Sequence, residues 1–299
     1  MSDSILAKDL RAAFPGLFLL ENEPMKAHCS FRIGGPADVY AEPESEQTLC
    51  ALWRWLKARG VPVTVIGNGT NLLVHDEGVR GVVLRLGERF AAISGENERL
   101  YACAGVTLAR LATAARERGL AGLEFAHGIP GSLGGAVMMN AGAYGGEMRD
   151  VVTSVCYLNA DGEVGETWEP GFGYRQSRFA ARGEIVVGAH LRLTPDDPDA
   201  IHARMMELWA KRTASQPLDK PSAGSTFKRP ATGYAAALID QAGLKGFSIG
   251  GAQVSEKHAG FVINTGSATF ADVTALMEHI QKTVYESSGV MLEPEVKIL

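Results

Sequence analysis

Several stretches of the chain gather residue types that could bind or transform an anionic or planar ligand. Gly67-Asn68-Gly69-Thr70-Asn71 follows directly on an apolar, strand-like run at residues 61–66. Glycines there let backbone N–H groups approach a phosphate, and the Thr and Asn side chains add hydrogen-bonding groups. A tight turn that needs positive φ would use the same residues. Two phosphate motifs are excluded: Leu72 stands where G-x-G-x-x-G needs its last glycine, and G-x-x-x-x-G-K-[ST] occurs nowhere.

Residues 128–146 pack seven glycines into 19 positions with almost no charge, unlike a solvated linker. Gly128, Pro130, Gly131, Ser132, Gly135, Asn140, Ala141 and Gly142 would let a buried backbone lie against a flat ligand and offer it main-chain donors. Close packing of elements through small residues is the other use of such glycines. Tyr174-Arg175-Gln176-Ser177-Arg178-Phe179 sets two guanidinium groups among aromatics, suited to bidentate capture of a carboxylate or phosphate, or to a surface ion pair. Ser222, Ser225 and Thr226 place hydroxyls beside Gly224 and Lys228 in a long loop spanning residues 216–230. Glu293 and Glu295 sit close to the C-terminus, where strand alternation would turn Glu295 away from Val296, into a cleft or into solvent.

Around these stretches the hydrophobic pattern sets out the elements. Leu49, Leu52, Trp53 and Leu56 recur at helical spacing between Ser45 and Gly60, which predicts a helix over residues 46–59. Strands are expected at 61–66, 79–86 and 100–104, a helix at 108–118, and a hairpin of 151–158 with 163–168 about Asp161-Gly162. A closing strand at 184–193 precedes a linker at 194–199. Helices at 200–212, 234–241 and 270–286 then alternate with strands at 260–264 and 290–299. The division expected is an N-terminal helical segment over 1–22, a first domain over 23–194 in two subdomains (about 23–92 and 93–194), and a separate α+β domain over 200–299.

Composition narrows the class. Of 299 residues, 46% are hydrophobic and 21% charged, which suits packed globular domains rather than disorder. With 29 basic against 34 acidic residues the formal charge is -5, so no bulk charge draws the chain to nucleic acid or to an acidic membrane. No apolar run approaches the roughly 18 residues of a membrane span, and the N-terminal stretch does not read as a signal peptide. Cys29, Cys50, Cys103 and Cys156 show no Cys-x-x-Cys pair and no His at metal-ligand spacing, so they read as reduced thiols in a cytoplasm and no metal is expected. The glycosylation triplet at Asn68-Gly69-Thr70 has no bearing in that setting.

Taken in order, Ser30-Phe-Arg-Ile-Gly-Gly-Pro36, Gly67 to Asn71, Gly128-Ile-Pro-Gly-Ser132, Met139-Asn-Ala-Gly142, Tyr174-Arg-Gln-Ser177, Ala223-Gly-Ser-Thr-Phe-Lys228, Ala252-Gln-Val-Ser-Glu-Lys-His-Ala259 and Leu292-Glu-Pro-Glu-Val296 resemble the UDP-N-acetylenolpyruvoylglucosamine reductase family, in its shorter, type II branch. The resemblance spans nearly the whole chain. It implies an α+β architecture, with a two-subdomain FAD-binding fold of the vanillyl-alcohol-oxidase/PCMH type and a C-terminal substrate domain. It also implies a reaction: NADPH reduces FAD, and hydride from flavin N5 then reduces the enolpyruvyl ether of UDP-GlcNAc to UDP-N-acetylmuramate for peptidoglycan. The expected setting is a cytoplasmic monomer with no nucleic-acid or membrane partner.

Residue roles follow from the same resemblance. Arg175 matches the arginine that stabilises the enolate, Ser225 the serine that protonates it, and Glu295 the third catalytic residue. The loop at Gly67 to Asn71 is expected to hold the diphosphate of FAD and the second glycine stretch to flank the flavin. Tyr174, Lys228, Arg229 and Gln253 are expected on the substrate. The chain departs from the family at Arg229, where asparagine is frequent, and at Cys29-Ser30, where two threonines are common. Other readings would be a different flavoprotein of the same fold, or a nucleotide-sugar binding protein without turnover. A binding protein has no need of a proton donor, and a yellow, NADPH-bleached solution separates it from an enzyme.

Overall fold

The structure is a computed structural model that describes residues 4–299. Two compact units emerge, each assembled from separated segments. The first comprises the described residues up to Glu21 with Val39–Asn68 and Gly81–Arg212; the second comprises Asn22–Asp38, Gly69–Arg80 and Thr213–Leu299.

In the first unit the helix Glu46–Ala58 starts where Ser45 Oγ accepts from Thr48 N at 3.1 Å, and it buries Leu49, Leu52, Trp53 and Leu56. Gly60, at φ +64°, ends it in the left-handed conformation that glycine tolerates. The strand Val63–Ile66 pairs in parallel with Val79–Arg85, at one side of a four-stranded sheet that continues to Pro36–Glu42 and Phe18–Pro24. A five-stranded antiparallel sheet runs in the order Val164–Thr167, Val152–Leu158, Ile185–Arg192, Arg99–Cys103, Ile93–Glu96. The expected hairpin is its outer pair, with Gly162 at φ +79° in the turn. The helix Leu108–Glu117 is capped by Thr107 and buries Leu108, Leu111, Ala112 and Ala115 in the core of this unit.

The second unit is built on a four-stranded antiparallel sheet ordered Ser222–Ser225, Phe261–Asn264, Ala252–Val254, Ser248–Ile249. The helix Phe270–Ser288 buries Val273, Leu276, Met277, Ile280 and Val284 in its core. Phe31, Ile33 and Leu73 enter the same core from far upstream. Their segments are tied in by Ser30 Oγ donating to Ser222 O at 2.6 Å and by Asn264 Nδ2 donating to Phe31 O at 3.1 Å. Leu72–Leu73 also pairs in parallel with Lys297–Ile298.

The structure differs from the sequence reading at several elements. Residues 23–194 do not cluster as one body, because 22–38 and 69–80 join the C-terminal unit through these long-range contacts. The N-terminal segment holds the helix Ile5–Ala13, capped by Ser4, but Phe18–Pro24 is a strand; Met1 to Asp3 lie outside the described residues. The glycine-rich stretch contains a helix, Leu133–Met139, and the loop at 216–230 contains the strand Ser222–Ser225. The linker at 194–199 is ordered: Thr194–Pro195 pairs with Leu120–Ala121 and a helix starts at Pro198. Of the strand expected over 290–299, only Lys297–Ile298 forms, with one bridge from Pro294 to Phe227.

Candidate active site

The two glycines of the first loop do different work. Gly69, at φ +64°, would carry a Cβ 2.0 Å from the His28 carbonyl oxygen, so it is the turn glycine and a packing glycine at once. Gly67 has no such φ, yet a Cβ there would stand 2.3 Å from Ser132 Oγ. Ser132 occupies the N-cap of Leu133–Met139 without using its hydroxyl on the cap. That hydroxyl is buried and has no hydrogen-bond partner among the described residues. The hydroxyl thus packs against the bare glycine Cα and keeps an unused donor that a ligand oxygen or ring heteroatom would satisfy.

The second stretch also divides. Gly134 would place a Cβ 2.8 Å from Ala104 Cβ, so here the glycine lets the helix pack closely. Gly135 is exposed, with nothing nearer than Ser132 Oγ at 3.8 Å, and Pro130 is exposed as well. Gly131 is anchored by its carbonyl, which accepts from Leu108 N at 3.0 Å. Gly128 lies against Arg212, whose Cδ would meet its Cβ at 3.2 Å. Burial pulls the Arg212 guanidinium below its ordinary value, offset in part by Tyr144. Beside Gly128, the buried Nδ1 of His127 has no partner among the described residues, and burial lowers the His127 pKa.

Asn140, Ala141 and Gly142 close the helix and lead into a short hairpin. Asn140 adopts φ +42° at the helix C-cap, and its side chain is fully engaged by protein groups. Its Nδ2 donates to Glu147 Oε2 at 2.9 Å and to Gly173 O at 3.0 Å, while its Oδ1 accepts from Arg149 N at 3.0 Å. Ala141 N donates to Ala136 O at 2.8 Å. Gly142 pairs with Glu147, and a Cβ on it would meet Glu147 Cβ at 2.7 Å.

This arrangement fixes the loop that carries Arg175. Gly173 is held by Asn140, Arg149 Nη2 donates to Phe172 O at 2.9 Å, and Ser177 Oγ donates to Met138 O at 2.7 Å. Arg175 sits at φ +54°, a strained position for a non-glycine residue, and its Nη1 donates to Gly142 O at 3.4 Å. Its guanidinium lies 5.5 Å from the ring centre of the exposed Tyr174. The second arginine of the motif behaves otherwise: Arg178 forms a bidentate pair with buried Glu184 at 3.1 and 3.2 Å and donates to Thr167 Oγ1 at 3.0 Å. Sequence alone did not separate the two. The positioning group Asn140, Arg149 and Ser177 was also not legible in those roles, because it acts through backbone carbonyls remote in the chain.

In the second unit, Ser225 and Glu295 are brought together. The strand Ser222–Ser225 bulges, so that Ser222 faces Ile263 and Ser225 faces Phe261, with Gly224 at φ +76° inside the irregularity. A bulge of this kind re-aims a side chain, and Ser225 is exposed. Next to it, Thr226 O accepts from Glu295 N at 2.8 Å. Asn71 Nδ2 donates to the Glu295 carbonyl at 3.0 Å, and Lys297 N donates to Asn71 O at 2.9 Å. The Glu295 backbone is therefore pinned from both sides. Asn71 directs its amide at the C-terminal segment, and the Thr70 carbonyl accepts from Ser30 Oγ at 3.3 Å. Asn68 ends the first-unit part of the loop, next to Gly67.

The expected substrate residues are spread over the second unit, Tyr174 apart. Lys228 pairs with Glu293 through its ammonium, and its backbone N donates to Glu293 O at 2.8 Å. Arg229 is exposed, donates to Gly233 O at 3.3 Å and lies 4.2 Å from the ring centre of Tyr234. Gln253 Nε2 donates to Gly246 O at 3.2 Å and Ser248 Oγ at 3.1 Å, holding a hairpin.

Comparison with known proteins places this geometry in a class and then in a family. The FAD binding domain family matches residues 37–167, which defines the chain as an FAD-binding protein of mixed α and β structure. The C-terminal domain of UDP-N-acetylenolpyruvoylglucosamine reductase matches residues 216–299. A UDP-N-acetylenolpyruvoylglucosamine reductase from Agathobacter rectalis is 50% identical over 306 residues, covering 98% of this chain and 97% of its own. One from Caldanaerobacter subterraneus subsp. tengcongensis is 51% identical over 280 residues, 93% of this chain and 92% of its own. The crystal structure of the reductase from Thermus caldophilus superposes with a TM-score of 0.81 at 36% identity, covering 95% of this chain and 99% of that one. The chain belongs to the UDP-N-acetylenolpyruvoylglucosamine reductase family.

Proposed function

We propose that Arg175, Ser225 and Glu295 carry the reduction that defines the family. The protein is an FAD-dependent oxidoreductase that uses NADPH to convert UDP-N-acetylenolpyruvoylglucosamine to UDP-N-acetylmuramate for peptidoglycan synthesis. When bound, FAD supplies a two-electron relay from NADPH to the terminal vinyl carbon of the substrate. The residues around Gly67 and Ser132 fit such a group, since the orphaned Ser132 hydroxyl is a donor awaiting an acceptor and lies where a side chain at position 67 would displace it. Cofactor binding is assigned to Gly67, Asn68, Gly69, Thr70, Asn71, Gly128, Pro130, Gly131, Ser132, Gly135, Asn140, Ala141 and Gly142. Asn71 and Asn140 would act there by holding the surrounding chain with their amides rather than by contacting the cofactor.

Reduction of the vinyl group leaves negative charge delocalised from the ether-bearing carbon into the substrate carboxylate. Arg175 stabilises that charge, and its strained, triply anchored loop keeps the guanidinium in place without reorganisation. Ser225 gives its proton to the ether-bearing carbon. A hydroxyl is a weak acid, so positioning against the enolate must supply much of its effect. Glu295 polarises the substrate carboxyl or assists proton delivery. What carries this assignment is the hydrogen bond from Glu295 N to Thr226 O, which fixes a carboxylate-bearing residue beside the serine strand.

Tyr174, Lys228, Arg229 and Gln253 are assigned to the substrate, with residues 23–194 serving mainly the cofactor and 200–299 the substrate. We assign the enzyme to the cytoplasm, acting as a monomer on NADPH and a UDP-sugar; no helix among the described residues is long and apolar enough to cross a membrane. The chemical test is to resolve the half-reactions of Ser225→Ala by stopped flow. Flavin reduction by NADPH should stay within about 2-fold of wild type, while reoxidation by the enolpyruvyl nucleotide should slow by at least ~100-fold, the usual size of general acid catalysis. Equal slowing of both half-reactions would refute the role given to Ser225.

A further inference from the structure

Three neighbouring strands of the five-stranded sheet bring together side chains that no sequence motif connects. Cys156 lies on Val152–Leu158, Glu166 lies directly opposite it on Val164–Thr167, and His190 lies on Ile185–Arg192, paired with Ser154. The Cys156 sulfur, a Glu166 carboxylate oxygen and a His190 ring nitrogen all lie within 4.8 Å of one another. His190 Nε2 is 3.9 Å from Glu166 Oε1. None of the three takes part in the cofactor, substrate or catalytic assignments above.

We propose that Cys156, Glu166 and His190 form a binding site for a divalent cation of the zinc type on this sheet. The donor set decides the class of metal. One thiolate, one imidazole and one carboxylate suit Zn²⁺, whereas Mg²⁺ and Ca²⁺ take oxygen ligands only. With bonds of about 2.0–2.3 Å, tetrahedral zinc holds its ligand atoms roughly 3.3–3.8 Å apart. The cluster must therefore contract by about 1 Å, which rotation of the accessible Glu166 and His190 side chains can supply. Water takes the fourth position.

The surroundings support the ligands as a metal site is supported. Ser154 Oγ donates to Glu166 Oε1 at 2.6 Å, the same oxygen that lies 3.9 Å from His190 Nε2, and so holds the carboxylate beside the imidazole. The Tyr101 ring packs against His190 at 4.8 Å between centroids. Tyr101 also lies over Gly188, the residue opposite Cys156, where a Cβ would stand 2.4 Å from the tyrosine hydroxyl. The aromatic ring thus walls one side of the cluster. Binding exchanges one proton for the metal: the S–H bond breaks, a sulfur–metal bond forms, and the proton leaves to buffer.

Titration of the FAD-bound enzyme with zinc chloride, followed by calorimetry in buffers of differing ionisation enthalpy, tests this. One Zn²⁺ per chain should bind with a Kd of about 1 μM or below, releasing about one proton. Cys156→Ser and His190→Ala should each weaken binding by at least ~10-fold, while His202→Ala, on an unrelated helix, should not. The melting temperature of wild type, but not of either ligand variant, should rise with zinc. Should Cys156→Ser fail to fold, His190→Ala alone decides. Zinc binding that survives these substitutions unchanged, that releases no proton, or that is no tighter than about 1 mM would overturn the site.

Discussion

At the scale of single residues, the clearest feature is the contact between Gly67 and Ser132. Gly67 keeps an ordinary φ, so alanine there meets no backbone penalty and its effect is steric. The added Cβ would stand 2.3 Å from Ser132 Oγ but 3.6 Å from Ser132 Cβ. Gly67→Ala should therefore lose FAD affinity by at least ~10-fold and lower the melting temperature, at a cost of about 1–3 kcal/mol from overpacking. Adding Ser132→Ala removes the offending oxygen, so the double variant should regain the melting temperature of Ser132→Ala. It should not regain FAD affinity, because the orphaned hydroxyl that the cofactor would satisfy is gone. Flavin fluorescence titration and thermal melts of the three variants read this out; a double variant as unstable as Gly67→Ala would mean the clash lies elsewhere. The glycines were visible in the sequence, but their division of labour was not, since it depends on which atom each Cα faces.

At the scale of elements, the helix Leu133–Met139, the hairpin after it and the loop carrying Arg175 act as one support, joined at Asn140. Losing that side chain removes one hydrogen bond each from Gly173 O, Arg149 N and the Glu147 carboxylate. Asn140→Gly keeps the left-handed backbone at φ +42° and isolates the lost hydrogen bonds, whereas Asn140→Ala adds strain of roughly 1–2 kcal/mol. Both should weaken FAD binding less than they slow reoxidation by substrate, which should fall by about 10-fold or more through a mobile Arg175, with the alanine variant melting lower. Rates equal to wild type in both would remove Asn140 from the positioning of Arg175. The sequence made the helices and the hairpin legible through periodicity and capping, as Ser45 and Thr107 illustrate. It could not show that Arg178 pairs with Glu184 while Arg175 reaches the Gly142 carbonyl, because arginines three residues apart read alike and differ only in what folds against them.

At the scale of the whole molecule, segments 22–38 and 69–80 belong with the C-terminal unit, an arrangement that local pattern cannot reveal because the pairing of Leu72 with Lys297 spans most of the chain. The position of Glu295 depends on such a contact, through Asn71. Stability as a whole is open to acid through two half-buried histidines. Burial lowers the pKa of His127 below its ordinary 6.5, reinforced by His202 and Arg116. Burial likewise lowers that of His258 from 6.5, a local backbone bond opposing it and Lys245 adding to it, and its Nδ1 accepts from Gly260 N at 3.1 Å. A base with a depressed folded pKa is neutral in the fold while the unfolded chain already takes up a proton. Its stability contribution is complete above 6.5 and is lost as pH falls through the lower folded value. The carboxylates with lowered pKa, such as Asp272 with an ordinary value of 3.8, lose their contribution only in more acid solution. Between pH 7.5 and 5.5 the histidines should therefore set the slope. The melting temperature of the FAD-bound enzyme should fall over that interval, and His258→Gln and His127→Gln should each flatten the fall. If both variants keep the wild-type slope, the acid sensitivity does not arise from these two rings.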